Sequence, residues 1–225
     1  EDSYASIIES FNHCTAHLGC KINLEWVETT ELRDSSFLEQ VDGLVVPGGF
    51  GSRGTEGKIE VIRLARERDI PFLGLCLGLQ LAVIEFARNV CGLTGANSSE
   101  MDADTPHPVI DILPEQKEIT EKGGTMRLGA YPALLREGSV VHGLYGKREV
   151  SERHRHRYEV NPDYHDILQD KGLVFSGLSL NGRLVEFIEL PLLKFFAATQ
   201  AHPELKSRME LPAPLFYGFV KACMV

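Results

Sequence analysis

A cysteine flanked by glycines has the sequence context of a nucleophile. In the stretch GLCLG, Cys76 lies between Gly74 and Gly78 at the end of an apolar run. Glycine allows the sharp turn and the close backbone approach that lift a side chain clear of a sheet. A helix beginning directly after Cys76 would favour its thiolate and leave the backbone N–H of Leu77 free to face an oxyanion. A buried structural cysteine needs no such glycines, so the pattern predicts a reactive thiol.

A candidate base for this thiol follows much later in the chain. A cysteine nucleophile needs a base, and the base needs a group that orients it. In ATQAHPEL, His202 closes an apolar strand and Glu204 follows two residues later. Pro203 keeps His202 out of the helical conformation, which lets the carboxylate hold the imidazole in one tautomer. The tripeptide also occurs by chance, but its place at a strand end favours a catalytic pair.

A third candidate element is the glycine pair in VVPGGFG, residues 45–51. At the end of an apolar strand, the backbone N–H groups around Gly48 and Gly49 can form a nest for a developing negative charge. An ordinary turn is the alternative interpretation of this stretch.

These residues need strands that end at a common edge, and the hydrophobic pattern predicts such strands. Apolar residues recur at helical spacing over 3–18 and 55–68, and a full helical stripe runs from Leu79 to Val90. Short apolar runs between them predict strands at 22–27, 43–49 and 71–76. Strands and helices that alternate with short connections imply parallel strands covered on both faces.

The second half of the chain is less regular. Residues 93–150 are rich in turn formers and predict loops and short antiparallel strands. Pro214 is well placed to open a terminal helix. Alternating patterns predict further strands at 152–160, 173–179, 183–190 and 194–200. We therefore expect one domain, residues 1–225, of α/β class. It should be a three-layer, open, mostly parallel sheet with helices on both faces, plus a small antiparallel sheet.

Composition narrows the functional classes. The formal net charge of −9 over 225 residues argues against a nucleic-acid partner. The five cysteines lack paired spacing, so we expect no metal site, no disulfide framework and a cytoplasmic location. No apolar run is long enough to span a bilayer, so we expect no membrane partner. The chain starts almost directly with a helix, which leads us to expect a fragment.

The motifs together resemble those of class I glutamine amidotransferases, a flavodoxin-like family. The resemblance rests on PGGFG at 47–51, GLCLGLQ at 74–80 and HPE at 202–204. The flanking segments look like those of the glutaminase domains of CTP synthases. These segments are GANSSE at 95–100, GGTMRLGA at 123–130 and ERHRHRYEVN at 152–161.

The resemblance implies a role for each motif. Cys76 would attack the side-chain amide of L-glutamine, with His202 as general acid and base and Glu204 as its partner. The oxyanion hole would comprise the backbone of Gly48, Gly49 and Leu77. The positions that match glutamine-binding residues are Gly49, Leu77, Gln80, Glu100, Arg157 and Tyr158. The candidate contacts for GTP or a neighbouring domain are Phe50, Arg53, Arg127 and Arg155.

The resemblance also implies partners and cofactors. The glutaminase domain itself should need no cofactor and no metal. In a full-length enzyme, an N-terminal synthetase (amidoligase) domain would use ATP, UTP and magnesium to make CTP for pyrimidine biosynthesis, and GTP would stimulate glutamine hydrolysis. That domain is absent from this chain, which has no phosphate-binding Gly-Lys-Ser/Thr loop. The full-length enzyme should be a homo-oligomer, a tetramer.

Several alternatives stay open at this point. The chain could serve another class I amidotransferase such as GMP synthase, although GGTMRLGA and ERHRHRYEVN argue against it. It could be a cysteine hydrolase related to protein deglycases and peptidases, in which a paired His-Pro-Glu is not expected. It could also be a non-catalytic regulatory or assembly module, or a redox sensor acting through Cys76.

Overall fold

A computed structural model describes residues 4–30, 32, 35–112 and 126–224 of the protein. The α-helices of this part are α1 (Ala5–Leu18), α2 (Thr55–Glu67), α3 (Leu77–Asn89), α4 (Val140–Tyr145), α5 (His165–Asp170) and α6 (Pro214–Cys223). The first strands are β1 (Leu44–Val46), β2 (Phe72–Leu75), β3 (Asn97–Ser98), β4 (Pro108–Asp111) and β5 (Arg127–Leu135). The later strands are β6 (Glu149–His156), β7 (Glu159–Val160), β8 (Val174–Ser179), β9 (Val185–Glu189) and β10 (Phe196–Thr199).

The larger sheet has the strand order β1-β2-β10-β9-β8-β5-β6. β2 pairs in parallel with β1 and with β10, and the pairs from β10 onward are antiparallel. The smaller sheet has the order β3-β4-β7, with one parallel and one antiparallel pair. Because β1, β2 and β10 run the same way, their carboxyl ends meet at one edge, where ligands of open α/β sheets bind.

Apolar residues cover both faces of the larger sheet. One cluster lies beneath α2 and α3 and includes Ile62, Leu79 and Phe86. The other lies beneath α1 and α6 and includes Phe11 and Phe216. Alternate residues of β2 belong to opposite clusters, since a strand directs successive side chains to opposite faces. Helix α3 is buried all round from Leu77 to Ala87 because it packs beneath both α2 and the smaller sheet.

The expected α/β architecture with layers of helices on both faces is confirmed. The parallel part of the larger sheet comprises β1, β2 and β10, whose carboxyl ends meet at one edge. The antiparallel part of this sheet is larger than the sequence pattern indicates. The smaller sheet is mixed, although the sequence predicts an antiparallel one. Among the described residues, no helix has the length and apolar character needed to cross a membrane.

Two local expectations differ from the structure. The strand expected at 22–27 is wrong, because these residues pair with no strand in the described part of the chain. Trp26 instead stacks on Tyr4, with ring centroids 5.3 Å apart. Helix α4 lies within a stretch expected to hold only loops and strands. Its start is fixed by Ser139, whose hydroxyl accepts a hydrogen bond from the backbone N–H of His142 at 3.0 Å. Part of the GGTMRLGA segment, 123–125, lies outside the described residues.

Candidate active site

Cys76 occupies the sharp turn between β2 and α3. Its backbone has φ 50° and ψ −100°, a conformation that residues with a side chain rarely adopt. Such a conformation costs about 1–3 kcal/mol and persists only where the surroundings enforce it. The enforcement comes partly from a hydrogen bond of 2.7 Å, which the Cys76 N–H donates to the carbonyl of Thr199 on β10. The turn places the thiol at the carboxyl edge of the parallel strands, as the sequence predicts.

The two glycines beside Cys76 are required by close backbone contacts. A Cβ atom at Gly78 would lie 2.2 Å from the backbone oxygen of Val46, where α3 packs on β1. A Cβ atom at Gly74 would lie 2.8 Å from Ala198 and 2.9 Å from the backbone of Gly78. Separations this short are not compatible with a methyl group, so the GLCLG motif is what allows α3 to start directly beneath the thiol.

His202 and Glu204 form a close pair at the same edge. His202 Nδ1 lies 2.7 Å from Glu204 Oε1, and the Glu204 carboxylate is buried. The backbone N–H of His202 donates to the carbonyl of Arg153 at 2.7 Å, which ties this turn to β6. The Cys76 side chain lies beside the His202 ring, since a Cβ atom at Gly48 would fall within 3.5 Å of both residues.

The charge state of His202 follows from these contacts. Burial alone would lower the pKa of the imidazole. Hydrogen bonds to the Cys76 sulfur and to Glu204, together with their negative charges, outweigh burial and raise the pKa of His202 to about 10. The arrangement therefore favours a protonated His202 beside the sulfur, and a cationic neighbour is what a cysteine nucleophile requires.

The glycine pair after β1, Gly48 and Gly49, lies against the Cys76 turn and the His202 ring. A Cβ atom at Gly48 would come within 2.7 Å of the His202 ring and 3.5 Å of the Cys76 Cβ. A Cβ atom at Gly49 would lie 3.2 Å from the side chain of Leu77. The structure thus brings all three residues expected to form an oxyanion hole to the Cys76 turn.

Apart from Gly49 and Leu77 at the Cys76 turn, the residues expected to bind glutamine lie around the smaller sheet. Gln80, on the first turn of α3, donates from Nε2 to the carbonyl of Tyr158 at 3.1 Å. Glu100 follows the carboxyl end of β3, and Arg157 precedes the amino end of β7. β3 is parallel to β4 and β7 is antiparallel to it, so those two ends lie at the same side of the sheet. The acidic and basic side chains therefore flank one end of this sheet, beside α3.

The residues expected to contact GTP or another domain are divided between surface and interior. Phe50 is 91% exposed, and Arg155 projects from the exposed face of the edge strand β6. Arg53 is also exposed and donates to Thr30 at 3.3 Å. Arg127 is buried, with its guanidinium held by buried partners inside the fold, whereas an effector contact requires an exposed side chain.

Arg127 forms a buried polar cluster behind the site. Its guanidinium donates to Glu159 at 3.2 Å and to Glu186 at 2.7 Å. His154 and His156 lie beside it, with Nδ1 of the first 2.9 Å from Nε2 of the second. Burial and the nearby positive charge of Arg127 lower the pKa of His154 to about 2 and that of His156 to about 3. Burial raises the pKa of Glu159 to about 8 despite the guanidinium.

These histidines should make the protein sensitive to acid. Below about pH 6.5, histidines of the unfolded chain bind protons, whereas His154 and His156 stay neutral in the folded chain, so stability falls as pH falls. Each of these two histidines should lower the free energy of unfolding by about 2 kcal/mol as the pH falls from 6.5 to 5. We expect His154→Gln to reduce the loss over this interval by about 2 kcal/mol in urea unfolding.

The control for this prediction is Gln169→Ala, at an exposed position of α5, which changes no titratable group and should leave the pH dependence unchanged. The raised pKa of Glu159 acts in the opposite direction, because the folded chain binds that proton between its two pKa values. This contribution of Glu159 is the same in the parent chain and in the variants, so it cancels when they are compared. Equal pH dependence in His154→Gln and the parent chain would contradict the assignment.

Gln200 is a further member of the site that the sequence patterns did not reveal. It directly follows β10, is fully buried, and its side-chain Nε2 lies 3.7 Å from Cys76 Sγ. The signal available in the sequence is weak. A long polar residue closes an otherwise apolar strand, two positions before His202.

Comparison with known proteins agrees with this geometry. The sequence model of the family described as glutamine amidotransferase class-I matches residues 1–222. The chain is 58% identical to the CTP synthase of Methanocaldococcus jannaschii over 233 residues, covering all of this chain and 43% of that protein. It is 52% identical to the CTP synthase of Staphylococcus carnosus, covering 99% of this chain and 42% of that protein. The chain thus spans less than half the length of these relatives.

Solved structures give a consistent result. The glutaminase domain of Trypanosoma brucei CTPS with bound acivicin superposes with a TM-score of 0.93 at 38% identity, covering 99% of this chain and 88% of that one. A putative GMP synthase component from Thermoplasma acidophilum shares the fold alone, with a TM-score of 0.61 at 18% identity, covering 96% of this chain and 87% of that one.

Proposed function

The chain belongs to the class I glutamine amidotransferases, in the group of CTP synthase glutaminase domains, and on this premise we propose that it hydrolyses L-glutamine through Cys76. The observation that carries the proposal is the juxtaposition of the Cys76 thiol, the His202 imidazole and the Glu204 carboxylate at one strand edge. The nucleophile lies beside the base, and the base contacts its orienting group, which is the arrangement that covalent catalysis by a thiol requires.

In the first half of the reaction, the Cys76 sulfur forms a bond to the carboxamide carbon of glutamine. The carbonyl oxygen takes up the electron pair as an oxyanion, which the backbone N–H groups around Gly48, Gly49 and Leu77 would stabilise. The protonated His202 then delivers its proton to the leaving nitrogen as the carbon–nitrogen bond breaks. Ammonia departs and a glutamyl thioester stays on Cys76.

In the second half, His202 acts as the base. It takes a proton from water as the water oxygen attacks the thioester carbon. The carbon–sulfur bond breaks, glutamate leaves, and the thiolate–imidazolium pair is restored. Glu204 holds the imidazole in one orientation throughout, because its contact with Nδ1 leaves the other ring nitrogen to serve sulfur and substrate.

Recognition of glutamine is assigned to residues around the smaller sheet. The carboxylate of Glu100 suits the α-amino group of the substrate, and the planar guanidinium of Arg157 suits its α-carboxylate. Gln80 lies between these residues and the thiol, where its contact with the Tyr158 carbonyl fixes it. The reach of a glutamine side chain would then place its amide at Cys76.

We propose further that the ammonia serves CTP formation in a longer protein. The CTP synthase relatives are more than twice as long as this chain, and the remainder of their length would hold the synthetase part. ATP, UTP and magnesium would be needed there for the amination of UTP. Residues 1–225 would then act as one glutaminase domain, stimulated by GTP, with Phe50, Arg53 and Arg155 as the exposed candidate contacts.

The substitution Glu100→Gln tests the assignment of the substrate site. We expect the KM for glutamine to rise about tenfold or more while kcat changes little, since the carboxylate binds substrate and does not touch the reacting atoms. The measurement is glutamate formation as a function of glutamine concentration, made with this chain and with the longer protein containing the synthetase part and GTP.

The matched control is Glu137→Gln, an exposed carboxylate in the turn before α4, which should have parental kinetics. An unchanged KM in Glu100→Gln would show that this carboxylate does not bind the substrate. No glutamate formation by either the chain or the longer protein would contradict the proposed function itself.

A further inference from the structure

We propose that Gln200 is a catalytic residue whose side-chain amide donates a hydrogen bond to the Cys76 sulfur and holds it as the thiolate. The inference rests on the proposed function, since it assigns Gln200 a part in the same reaction. It concerns a residue that touches the reacting sulfur but is neither the base nor its orienting group.

The strand topology places Gln200 against the nucleophile. β10 and β2 are parallel neighbours, with Thr199 opposite Leu75, so the next residue of each strand emerges at the same edge. The backbone N–H of Gln200 donates to the carbonyl of Glu186 at 2.9 Å, which fixes the start of its side chain. The fully buried side chain then places Nε2 3.7 Å from Cys76 Sγ. This separation suits a hydrogen bond to sulfur, which has a larger radius than oxygen.

The orientation of the Gln200 amide is determined by its neighbours. A backbone carbonyl only accepts hydrogen bonds, so the carbonyl of Tyr158 requires Gln80 to present its NH₂ group, at 3.1 Å. The same NH₂ group donates its other hydrogen to Gln200 Oε1 at 3.2 Å. With its oxygen occupied as acceptor, Gln200 must turn its own NH₂ group toward the sulfur. The flipped amide would oppose two NH₂ groups and place an oxygen against a thiolate.

The Tyr158 carbonyl that anchors this chain of amides is itself held in place. It also lies 3.0 Å from Nδ1 of His156, a distance that makes that nitrogen the donor. Nε2 of His156 is then left to accept from Nδ1 of His154, 2.9 Å away. Both rings lie on the buried face of β6, where they have little freedom to turn. The order of donors and acceptors is therefore consistent from the buried histidines to the sulfur.

The neutral amide of Gln200 can stabilise the sulfur anion in a way that differs from the charged groups around it. The charged groups that act on the sulfur are the His202 imidazolium and, behind it, Glu204. Farther away lie Arg127 with its partners Glu159 and Glu186, and the neutral rings of His154 and His156. His202 also has to carry the protons of the reaction, giving one to the leaving ammonia and taking one from water. An amide N–H cannot give up its proton, so Gln200 can stabilise the sulfur whenever the sulfur carries charge.

The test measures how readily Cys76 ionises, without using glutamine. The rate at which iodoacetamide alkylates Cys76 is followed against pH by mass spectrometry of the Cys76 peptide, which separates it from the other four cysteines. In Gln200→Met, which has similar length and no donor, the midpoint of this profile should move up by about one pH unit. Alkylation below the midpoint should slow about tenfold. Gln169→Met, at an exposed position of α5, should have the parental profile.

A second variant keeps the test decisive if Gln200→Met does not fold. Gln200→Asn retains the amide but is one methylene too short to reach the sulfur, so it should also shift the midpoint upward. A parental midpoint in a folded Gln200→Met or Gln200→Asn chain would overturn the inference. If the midpoint shifts but the parent chain and the longer protein form no glutamate, then the proposed function fails while the contact with the thiolate stands. If the parent hydrolyses glutamine and the midpoint does not move, then the proposed function stands while the contact between Gln200 and the thiolate is overturned.

Discussion

The substitution Cys76→Ser is expected to reduce glutamine hydrolysis by at least about a thousandfold while the chain stays folded. A serine hydroxyl at this position is not ionised near neutral pH, and the imidazolium–thiolate pair cannot form. The fold should be retained because the strained turn is enforced by backbone contacts that do not involve sulfur. The measurements are the rate of glutamate formation and the thermal unfolding midpoint.

The control for this substitution is Cys20→Ser, in the irregular segment after α1. It removes a partly exposed thiol that has no assigned part in the reaction, and it should leave hydrolysis at the parental rate. Substantial hydrolysis by Cys76→Ser would show that this sulfur is not the nucleophile.

The substitution Gly78→Ala should cause the largest loss of stability among the changes considered. Its Cβ would lie 2.2 Å from the backbone oxygen of Val46, so either α3 or β1 must move. Overpacking against backbone costs about 3 kcal/mol, which lowers the unfolding midpoint of a chain of this size by roughly 6–12 °C. Because α3 begins beneath Cys76, the displacement should also misplace the thiol and lower the rate of hydrolysis.

The matched control is Gly143→Ala within α4, where a Cβ meets no heavy atom of the described residues within 4 Å. Alanine is the better helix former by about 1 kcal/mol, so this variant should be as stable as the parent or slightly more stable. If Gly78→Ala unfolds at the parental temperature, then the close packing of α3 on β1 does not hold in solution.

The catalytic candidates could be predicted because each carries a local signature. Glycines on both sides of Cys76 mark positions where a Cβ atom would clash, and the proline between His202 and Glu204 restricts the backbone conformation of His202. Parallel neighbouring strands then bring their ends together, as the order β1-β2-β10 shows. Local signatures and a single rule of topology were enough to place these three side chains at one edge.

The remaining features depend on contacts between residues far apart in sequence. Arginine usually lies at a surface, which is where Arg127 is expected, yet its partners Glu159 and Glu186, 32 and 59 positions later, hold it inside. Gln200 contacts Cys76, which lies 124 positions earlier in the chain. This contact depends on the alignment of β10 with β2, and no residue next to Gln200 in the sequence indicates it. A short apolar run such as 22–27 becomes a strand only where another strand pairs with it.

The most direct test of the account is covalent labelling by a glutamine-derived chloroketone, followed by mass spectrometry of the peptides. The parent chain should acquire one adduct, located on Cys76, and excess glutamine should slow its formation. Cys76→Ala should acquire none. No adduct on Cys76, even in the longer protein with the synthetase part and GTP, would contradict the account. Labelling spread over several cysteines without protection by glutamine would also contradict it.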